Sequence, residues 1–218
     1  MQIWIDTADV NEIKRVAELG VVDGATTNPS LCAKQSNTDF KAMVKEICGI
    51  VNGPVSAEVV APDFKGMCAQ AEMLSKLHEN VIVKIPCTND GLKATKYCKE
   101  HGIKTNVTLT FSPNQVLLAA KAGATYTNIF IGRVDDAGHD GMVAVEESLQ
   151  ILENYKLETK LIAASVRSVQ HVQVAALLGC HVATIPPKII EKMIKHPLTE
   201  LGLKQFEADW IKSGCKME

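Results

Sequence analysis

The chain of 218 residues alternates along its whole length between short apolar segments and longer amphipathic segments. Eight of the short segments are rich in β-branched residues and have the length of buried strands. These predicted strands cover residues 2–6, 24–27, 55–60, 81–85, 104–109, 126–131, 160–164 and 182–185. Each is followed by a segment with apolar residues at helical spacing. Eight such units in one uninterrupted series predict a (β/α)8 barrel.

The competing architecture with the same alternation is a doubly wound open sheet. That fold usually places a glycine-rich, phosphate-binding turn after its first strand. The turn here reads Asp6-Thr7-Ala8-Asp9 and contains no glycine, which favours the closed barrel. No linker, low-complexity tract or charge block divides the chain, so we expect one domain over residues 1–218.

A further helical segment, residues 199–212, follows the eighth unit. It carries Leu203, Phe206 and Trp210 at spacings of three and four, which form one apolar face. The barrel is complete without this helix. We therefore expect it to pack either on the outside of its own barrel or on a neighbouring subunit.

The charge balance argues against several classes of partner. Lysine and arginine number 23 against 25 aspartate and glutamate, for a formal net charge of −2, which offers no basic surface for nucleic acid or an anionic membrane. No apolar stretch approaches the length of a transmembrane helix, and no secretory signal precedes the first strand. The seven cysteines are odd in number and form no CxxC pair, so we expect free thiols and a cytoplasmic location.

Lys84 interrupts the apolar run of the predicted fourth strand, Val81-Ile82-Val83-Lys84-Ile85-Pro86. Lysine is rarely buried without a partner. A lysine held in such a strand is partly desolvated, which favours the neutral amine that attack on a carbonyl carbon requires. The run therefore indicates either a Schiff-base nucleophile or a strand-end lysine that extends its amine to water.

Polar side chains recur where the predicted strands end, which is where (β/α)8 barrels carry their active sites. Singly, they have structural explanations. Asn28 could cap a helix that begins at Pro29, and Arg133 could form a loop ion pair with the acidic residues 135 and 136. Together, two carboxylates and a lysine in buried strands are expected to face one another, because unpaired buried charge is unfavourable. The residues concerned are Asp6, Thr27, Asn28, Glu58, Lys84, Asn106, Thr108, Arg133, Ser165 and Arg167.

Schiff-base chemistry assigns catalytic roles to four of these residues. Lys84 is the nucleophile. Forming and breaking its carbinolamine needs a proton shuttle, which Glu58 and a water held by Thr108 would supply. Cleavage of a carbon–carbon bond beside the iminium needs a base for the leaving hydroxyl, and Asp6 is predicted to be that base.

The other strand-end residues suit the binding of a phosphorylated substrate. Asn28 and Asn106 can hydrogen-bond substrate hydroxyls without adding charge. Arg133, Ser165 and Arg167 supply two guanidinium groups and a hydroxyl, which suit a phosphate dianion. Late βα-loops often hold phosphate in barrels, so the position of these three residues agrees with that role.

Eight segments match, in order, motifs of a known family. They are Ile5-Asp6-Thr7-Ala8, Thr26-Thr27-Asn28-Pro29-Ser30, Ser56-Ala57-Glu58-Val59, Val83-Lys84-Ile85-Pro86, Asn106-Val107-Thr108-Leu109, Gly132-Arg133 with Asp135-Asp136, Ala164-Ser165-Val166-Arg167, and Phe206-Glu207-Ala208-Asp209-Trp210. The chain thereby resembles the short-chain transaldolases, which are related to fructose-6-phosphate aldolase. The resemblance implies a class I aldolase mechanism on Lys84, ketose-phosphate donors, aldose-phosphate acceptors, a place in the pentose phosphate pathway, and no cofactor or metal.

Two positions bear on the choice between transaldolase and aldolase within this resemblance. Transaldolase-like members have glutamate in the third strand and phenylalanine in the sixth-strand motif, whereas aldolase-like members have glutamine and tyrosine. The chain has Glu58 and Phe130, which favours transaldolase. It departs from the usual motif at Asn128, which stands where a serine that helps to bind substrate is usual. We include Thr27, Asn128 and Phe130 among the predicted substrate-binding residues.

The favoured function is transfer of a dihydroxyacetone unit from fructose 6-phosphate or sedoheptulose 7-phosphate to erythrose 4-phosphate or glyceraldehyde 3-phosphate. A lyase that releases free dihydroxyacetone is one alternative, and a barrel that binds sugar phosphate without catalysis is another. The resemblance also implies a homo-oligomer, a pentamer or a decamer, in which the last helix reaches a neighbouring subunit.

Two other features of the sequence have simpler explanations. His139 stands among three aspartates at positions 135, 136 and 140, but this glycine-flanked stretch is more typical of a solvated loop than of a metal site. Cys87 follows the lysine strand without a histidine motif to activate it, so we expect a small packing residue.

Overall fold

The computed structural model describes residues 1–35 and 39–217. Eight parallel strands pair in chain order, and the first pairs with the last, which closes a barrel. The predicted (β/α)8 barrel is therefore confirmed. The strands are β1 (Gln2–Asp6), β2 (Gly24–Thr26), β3 (Val55–Glu58), β4 (Val81–Pro86), β5 (Thr105–Thr108), β6 (Tyr126–Phe130), β7 (Lys160–Ala164) and β8 (Val182–Ile185).

Helices surround the strands and bury an apolar face of Val, Ile, Leu and Ala against them. Most begin at an Asp, Asn, Ser or Thr whose side chain accepts a hydrogen bond from the first turn, as Asp9, Asp63 and Ser168 do. The helices are α1 (Val10–Ala17), α2 (Pro29–Cys32), α3 (Phe40–Val51), α4 (Phe64–Ser75), α5 (Asn89–Glu100), α6 (Pro113–Lys121), α7 (Ile131–Asp136), α8 (Gly141–Asn154), α9 (Val169–Leu177), α10 (Pro187–Ile194) and α11 (Pro197–Ser213).

Most strand ends lie within two residues of the sequence prediction, and the differences have local causes. Strand β3 ends at Glu58 because the N–H of Val60 donates to Oε1 of Gln70, at 2.8 Å, instead of to a neighbouring strand. Strand β5 ends at Thr108 because Leu109 takes a left-handed conformation with φ of 58°. Strands β1, β7 and β8 have the predicted bounds.

Side chains that point into the barrel divide it into an apolar base and a polar mouth. The Trp4 and Tyr126 rings pack in the base with centroids 5.0 Å apart. Gly24 admits the indole, since a Cβ at this position would lie 2.6 Å from Nε1 of Trp4. The polar inward-facing residues lie at the other end of the barrel, at the carboxyl ends of the strands. The buried cluster of the base comprises Trp4, Ile82, Tyr126, Ile162 and Val182.

Helix α11 extends beyond the closed barrel and begins two residues earlier than predicted. None of its side chains is buried. Phe206 is 73% exposed and Trp210 is 46% exposed. The structure therefore does not support packing of this apolar face on the barrel of the same chain.

Within the described residues, no helix combines the length and the apolar character that crossing a membrane requires. All seven cysteines are free. Cys87 packs beside Val107, Ala119 and Ala124.

Candidate active site

Lys84 lies on β4 with only 4% of its surface exposed. Its Nζ is 3.1 Å from Oε2 of Glu58 and donates a hydrogen bond of 3.1 Å to the carbonyl oxygen of Thr27. The register of the two strands pairs Glu58 with Lys84 directly, which fixes this contact. The alternative of a lysine that extends its amine to water is therefore wrong.

Asp6 ends β1 and lines the same cavity as Lys84. Its Oδ1 accepts a hydrogen bond of 2.8 Å from the hydroxyl of Thr26, which in turn lies 2.5 Å from the hydroxyl of Thr184. Desolvation by the surrounding barrel raises the pKa of Asp6 above its ordinary 3.8, although Lys84 and the Thr26 hydrogen bond oppose the rise. A raised pKa makes the Asp6 carboxylate a stronger proton acceptor than an exposed aspartate.

Two amides occupy the wall between β3 and β6. Asn128 donates from Nδ2 to Oδ1 of Asn106, at 3.2 Å, and Asn106 donates from Nδ2 to the hydroxyl of Ser56, at 3.1 Å. The hydroxyl of Thr110 donates to Oδ1 of Asn128 at 3.2 Å. Asn128 faces the central cavity, and Asn106 lies behind it and orients its amide.

Thr108 is buried at the end of β5. In the described part of the chain, its Oγ1 is the buried side-chain polar atom without a hydrogen-bond partner. An unpaired buried hydroxyl of this kind can form a hydrogen bond with a small polar molecule such as water.

A cavity of about 110 Å³ opens at the mouth between these strands. Seven of the predicted residues line it: Asp6, Asn28, Lys84, Asn128, Phe130, Arg133 and Ser165. Five predicted residues do not line it: Thr27, Glu58, Asn106, Thr108 and Arg167. Three of these five contact residues of the lining, namely Thr27, Glu58 and Asn106. Glu58 also lines a second cavity, of about 430 Å³.

Sequence reasoning missed four residues of the lining. Thr26 belongs to the motif Thr26-Thr27-Asn28-Pro29-Ser30, and Thr184 alternates inward along β8, so strand periodicity could have identified both. The other two are apolar residues of β7 and carried no chemical signal. The four residues are Thr26, Ile162, Ala164 and Thr184.

Asn28 has both of the roles that the sequence left open. Its Oδ1 accepts a hydrogen bond of 2.9 Å from the N–H of Leu31, so it caps α2 before Pro29. The same side chain lines the cavity. The cap therefore holds the amide in a fixed position at the mouth.

The three residues predicted to bind phosphate lie at one edge of the mouth, but they differ in their contacts. Arg133 is on α7, with Cζ 5.0 Å from the centroid of the Phe130 ring. Ser165 follows β7 with φ of 57°. The Arg167 guanidinium is paired, through Nη1 and Nη2, with both carboxylate oxygens of Asp136. Arg167 does not line the cavity.

The acidic residues next to Arg133 pair elsewhere. Asp136 pairs with Arg167, and Asp135 lies with Oδ2 3.4 Å from Nε2 of His171. The alternative of a loop ion pair for Arg133 is therefore wrong, because the helical turn of α7 directs these carboxylates towards the β7–α9 loop. Within residues 1–35 and 39–217, no group of three or more His, Cys, Asp or Glu side chains is arranged to hold a metal ion.

Comparison with known proteins places these motifs in a family. A family model described as "Transaldolase/Fructose-6-phosphate aldolase" matches residues 3–216. A protein named "Probable transaldolase" from Chelativorans sp. (strain BNC1) is 53% identical over 217 residues, covering 100% of both chains.

Two further proteins with the same printed name are similarly close. The protein from Thermoanaerobacter sp. (strain X514) is 51% identical over 100% of both chains. The protein from Geotalea uraniireducens (strain Rf4) is 57% identical over 97% of this chain and 99% of its own. The barrel, the buried lysine and these full-length matches agree, and the chain belongs to the transaldolase/fructose-6-phosphate aldolase family.

Proposed function

We propose that this protein is a transaldolase that moves a dihydroxyacetone unit from a ketose phosphate to an aldose phosphate through a Schiff base on Lys84. The observation that carries the proposal is the placement of Lys84. Its amine is buried, paired with Glu58 at 3.1 Å, and open to a small cavity that also contains the Asp6 carboxyl. Relatives named probable transaldolase over the full length support the same reaction class.

The first step joins Nζ of Lys84 to the C2 carbonyl of the donor. Glu58 lies within hydrogen-bond distance of Nζ and takes its proton, so the lone pair attacks the carbon. The carbonyl oxygen becomes a hydroxyl, gains a proton and leaves as water. A water bonded to the unpartnered Thr108 hydroxyl can carry these protons between Glu58 and the substrate.

The second step breaks the C3–C4 bond. The Asp6 carboxylate removes the proton of the C4 hydroxyl, the aldose phosphate departs as an aldehyde, and the bonding electrons enter the iminium to form an enamine. The acceptor aldehyde then receives this carbon, and Asp6 returns the proton to the new hydroxyl. Addition of water to the resulting iminium breaks its bond to Nζ, releases the new ketose phosphate and restores the Lys84 amine. The raised pKa of Asp6 suits a group that both takes and gives a proton.

The other lining residues hold the substrate. Asn28 and Asn128 present amides to its hydroxyls, and Asn106 orients the second of them. Arg133 and Ser165 line the same cavity and supply a guanidinium and a hydroxyl for the terminal phosphate. Fructose 6-phosphate or sedoheptulose 7-phosphate is the proposed donor, and erythrose 4-phosphate or glyceraldehyde 3-phosphate is the proposed acceptor. This reaction belongs to the pentose phosphate pathway.

The location that we propose for the protein is the cytoplasm. Its seven free thiols favour that location.

We also propose that the protein is a homo-oligomer, a pentamer or a decamer, in which α11 docks on a neighbouring subunit. Large apolar side chains concentrated on one unburied helix are unusual for a monomer. Leu198, Leu201, Leu203, Phe206 and Ile211 are each at least 60% exposed.

Trapping the intermediate tests the proposed chemistry. Incubation with fructose 6-phosphate and borohydride should add a reduced three-carbon or six-carbon unit to Lys84, detected by mass spectrometry of the peptide. Lys84→Met retains the side-chain volume without the amine and serves as the control. Absence of an adduct would leave only a binding role for the barrel. If an adduct forms, rapid release of glyceraldehyde 3-phosphate without acceptor would indicate the lyase instead.

A further inference from the structure

Arg167 is the one predicted phosphate-binding residue that turns away from the cavity. Both of its Nη groups donate to the Asp136 carboxylate, and the hydrogen bond from Arg167 holds the pKa of Asp136 below its ordinary range. Asp136 is therefore ionised at neutral pH and occupies the edge of the guanidinium that would otherwise bind an oxyanion.

The Arg167 side chain is positioned to reach the mouth despite this pairing. Its stem crosses α7 at Gly132, where a Cβ would lie 2.5 Å from Nε and 2.8 Å from Cδ of Arg167. Ser165, which lines the cavity, is two residues earlier in the same loop and accepts a hydrogen bond of 3.2 Å from the N–H of Gly132. The Arg167 side chain thus passes between Gly132 and the loop that carries Ser165, and Ser165 and Arg133, the residue after Gly132, both line the cavity.

Contacts other than the Asp136 pair join α7 to the β7–α9 loop. The Gly132–Ser165 backbone hydrogen bond is one, and the contact of Asp135 with His171 ties α7 to the first turn of α9 beyond the loop. Asp135 also accepts a hydrogen bond of 2.9 Å from the N–H of Gly141. Loss of the Asp136 charge should therefore leave the backbone of this region in place.

We propose that Asp136 is a specificity-determining residue whose carboxylate holds Arg167 until the phosphate of a sugar displaces it. The inference rests on the proposed function, since it concerns the phosphate of that substrate. A phosphate dianion accepts the same two-point hydrogen bond as a carboxylate and carries more charge, so it can exchange with Asp136. A sugar hydroxyl has neither property and leaves Arg167 paired. Asp136 thereby competes with the phosphate and weakens the binding of phosphorylated ligands, whereas the binding of unphosphorylated ligands does not depend on the pair.

The exposure of the pair agrees with an exchangeable contact. The Arg167 side chain is 48% exposed and that of Asp136 is 58% exposed. Ion pairs in such surroundings are weak and are readily replaced by another anion. Arg133, stacked on Phe130, provides the cation that lines the cavity before Arg167 is released.

Calorimetric titration with inorganic phosphate tests the proposal without requiring catalysis. Asp136→Asn removes the competing charge while retaining the size of the side chain. The dissociation constant for phosphate should fall by about twofold to fivefold, the range for an exposed ion pair. The KM for fructose 6-phosphate should fall by a similar factor, with kcat unchanged.

Two controls separate exchange at Arg167 from a general effect of charge. Glu153→Gln removes a charge from the last turn of α8, where Glu153 borders a cavity that contains neither Arg133 nor Arg167, and should change phosphate affinity much less. In an Arg167→Ala background, Asp136→Asn should have no effect. Unchanged or weaker phosphate binding in Asp136→Asn, or an equal gain without Arg167, would overturn the proposal. Absence of a Lys84 adduct alongside tighter phosphate binding would refute the aldol chemistry but not this inference.

Discussion

The guanidinium of Arg133 lies over the ring of Phe130, with its Cζ 5.0 Å from the ring centroid. The ring also contacts Phe111, at a centroid distance of 5.6 Å, and lines the central cavity. Phe130 therefore has two effects in the site. It supports a cation at the phosphate end, and it presents an apolar wall where a tyrosine would present a hydroxyl.

Phe130→Tyr should shift the reaction from transfer towards cleavage without acceptor. The new hydroxyl can hold a water near the enamine and supply the proton that releases dihydroxyacetone. We expect the ratio of acceptor-free cleavage to transfer to rise about tenfold, since a well-placed proton donor contributes about 10²–10⁴-fold. Coupled assays with and without erythrose 4-phosphate measure the ratio. Phe111→Tyr, which adds a hydroxyl outside the cavity, is the control, and equal ratios in parent and Phe130→Tyr would contradict the prediction.

Thr108→Val should reduce activity without reducing stability. Among the residues that the structure describes, none forms a hydrogen bond with the Thr108 hydroxyl, so its replacement by a methyl group breaks no hydrogen bond. We expect kcat to fall about tenfold or more through loss of the bound water, with an unchanged or higher free energy of unfolding in urea. Thr127→Val, which removes a hydrogen bond of 3.2 Å to the carbonyl of Val107, should instead destabilise the fold by about 1 kcal/mol. A comparable loss of stability in both variants would refute this account of Thr108.

Asp6→Asn should stabilise the protein at neutral pH while it lowers kcat by about 10²-fold or more. Because burial raises the pKa of Asp6, the native state binds this proton more tightly than the unfolded chain does. The contribution of Asp6 to stability is therefore complete below pH 3.8 and is lost as the pH rises through the folded-state pKa.

Thermal unfolding of parent and Asp6→Asn as a function of pH measures this effect. The Tm of Asp6→Asn, measured relative to that of the parent, should increase as the pH rises from 3.8. Asp90→Asn is the control of opposite sign, because hydrogen bonds from Lys93 and from the N–H of Phe64 lower the pKa of Asp90. That variant should lose Tm relative to the parent as the pH rises. A difference between parent and Asp6→Asn that does not vary with pH would contradict the prediction.

Removal of α11 should dissociate the assembly. A chain that stops before Pro197 lacks the exposed apolar residues of this helix, and multi-angle light scattering should show species smaller than those of the full chain. Phe206→Ser with Trp210→Ser should have the same effect, since each buried interface aromatic is worth about 2 kcal/mol or more. Tyr155→Ser removes an aromatic that is 70% exposed outside α11 and should leave the mass unchanged. A full-length chain that is monomeric at micromolar concentration would disprove docking by α11.

Much of the architecture could be predicted from the sequence because it follows from local pattern. The strands that close the barrel appear as short β-branched runs between helical segments, and β1, β7 and β8 have the predicted bounds. Period-two alternation places Glu58 and Lys84 on the inward face of neighbouring strands, so their contact follows once the strands pair in order. The residues at the strand ends converge for the same reason.

Other features were decided only by the tertiary structure, because they depend on how far side chains from distant segments reach. Asn106 and Asn128 both point inward, yet only Asn128 lines the cavity, since the stagger of the strands places one amide behind the other. The missing partner of Thr108 is a property of its surroundings and not of its residue type. The sequence alone determined the barrel, the buried lysine and the family, since these follow from periodicity and motif order. The pairing of β6 with β7 decided the partner of Arg167, because it brought Asp136 against Arg167 across 31 residues of chain and left Arg133 at the mouth.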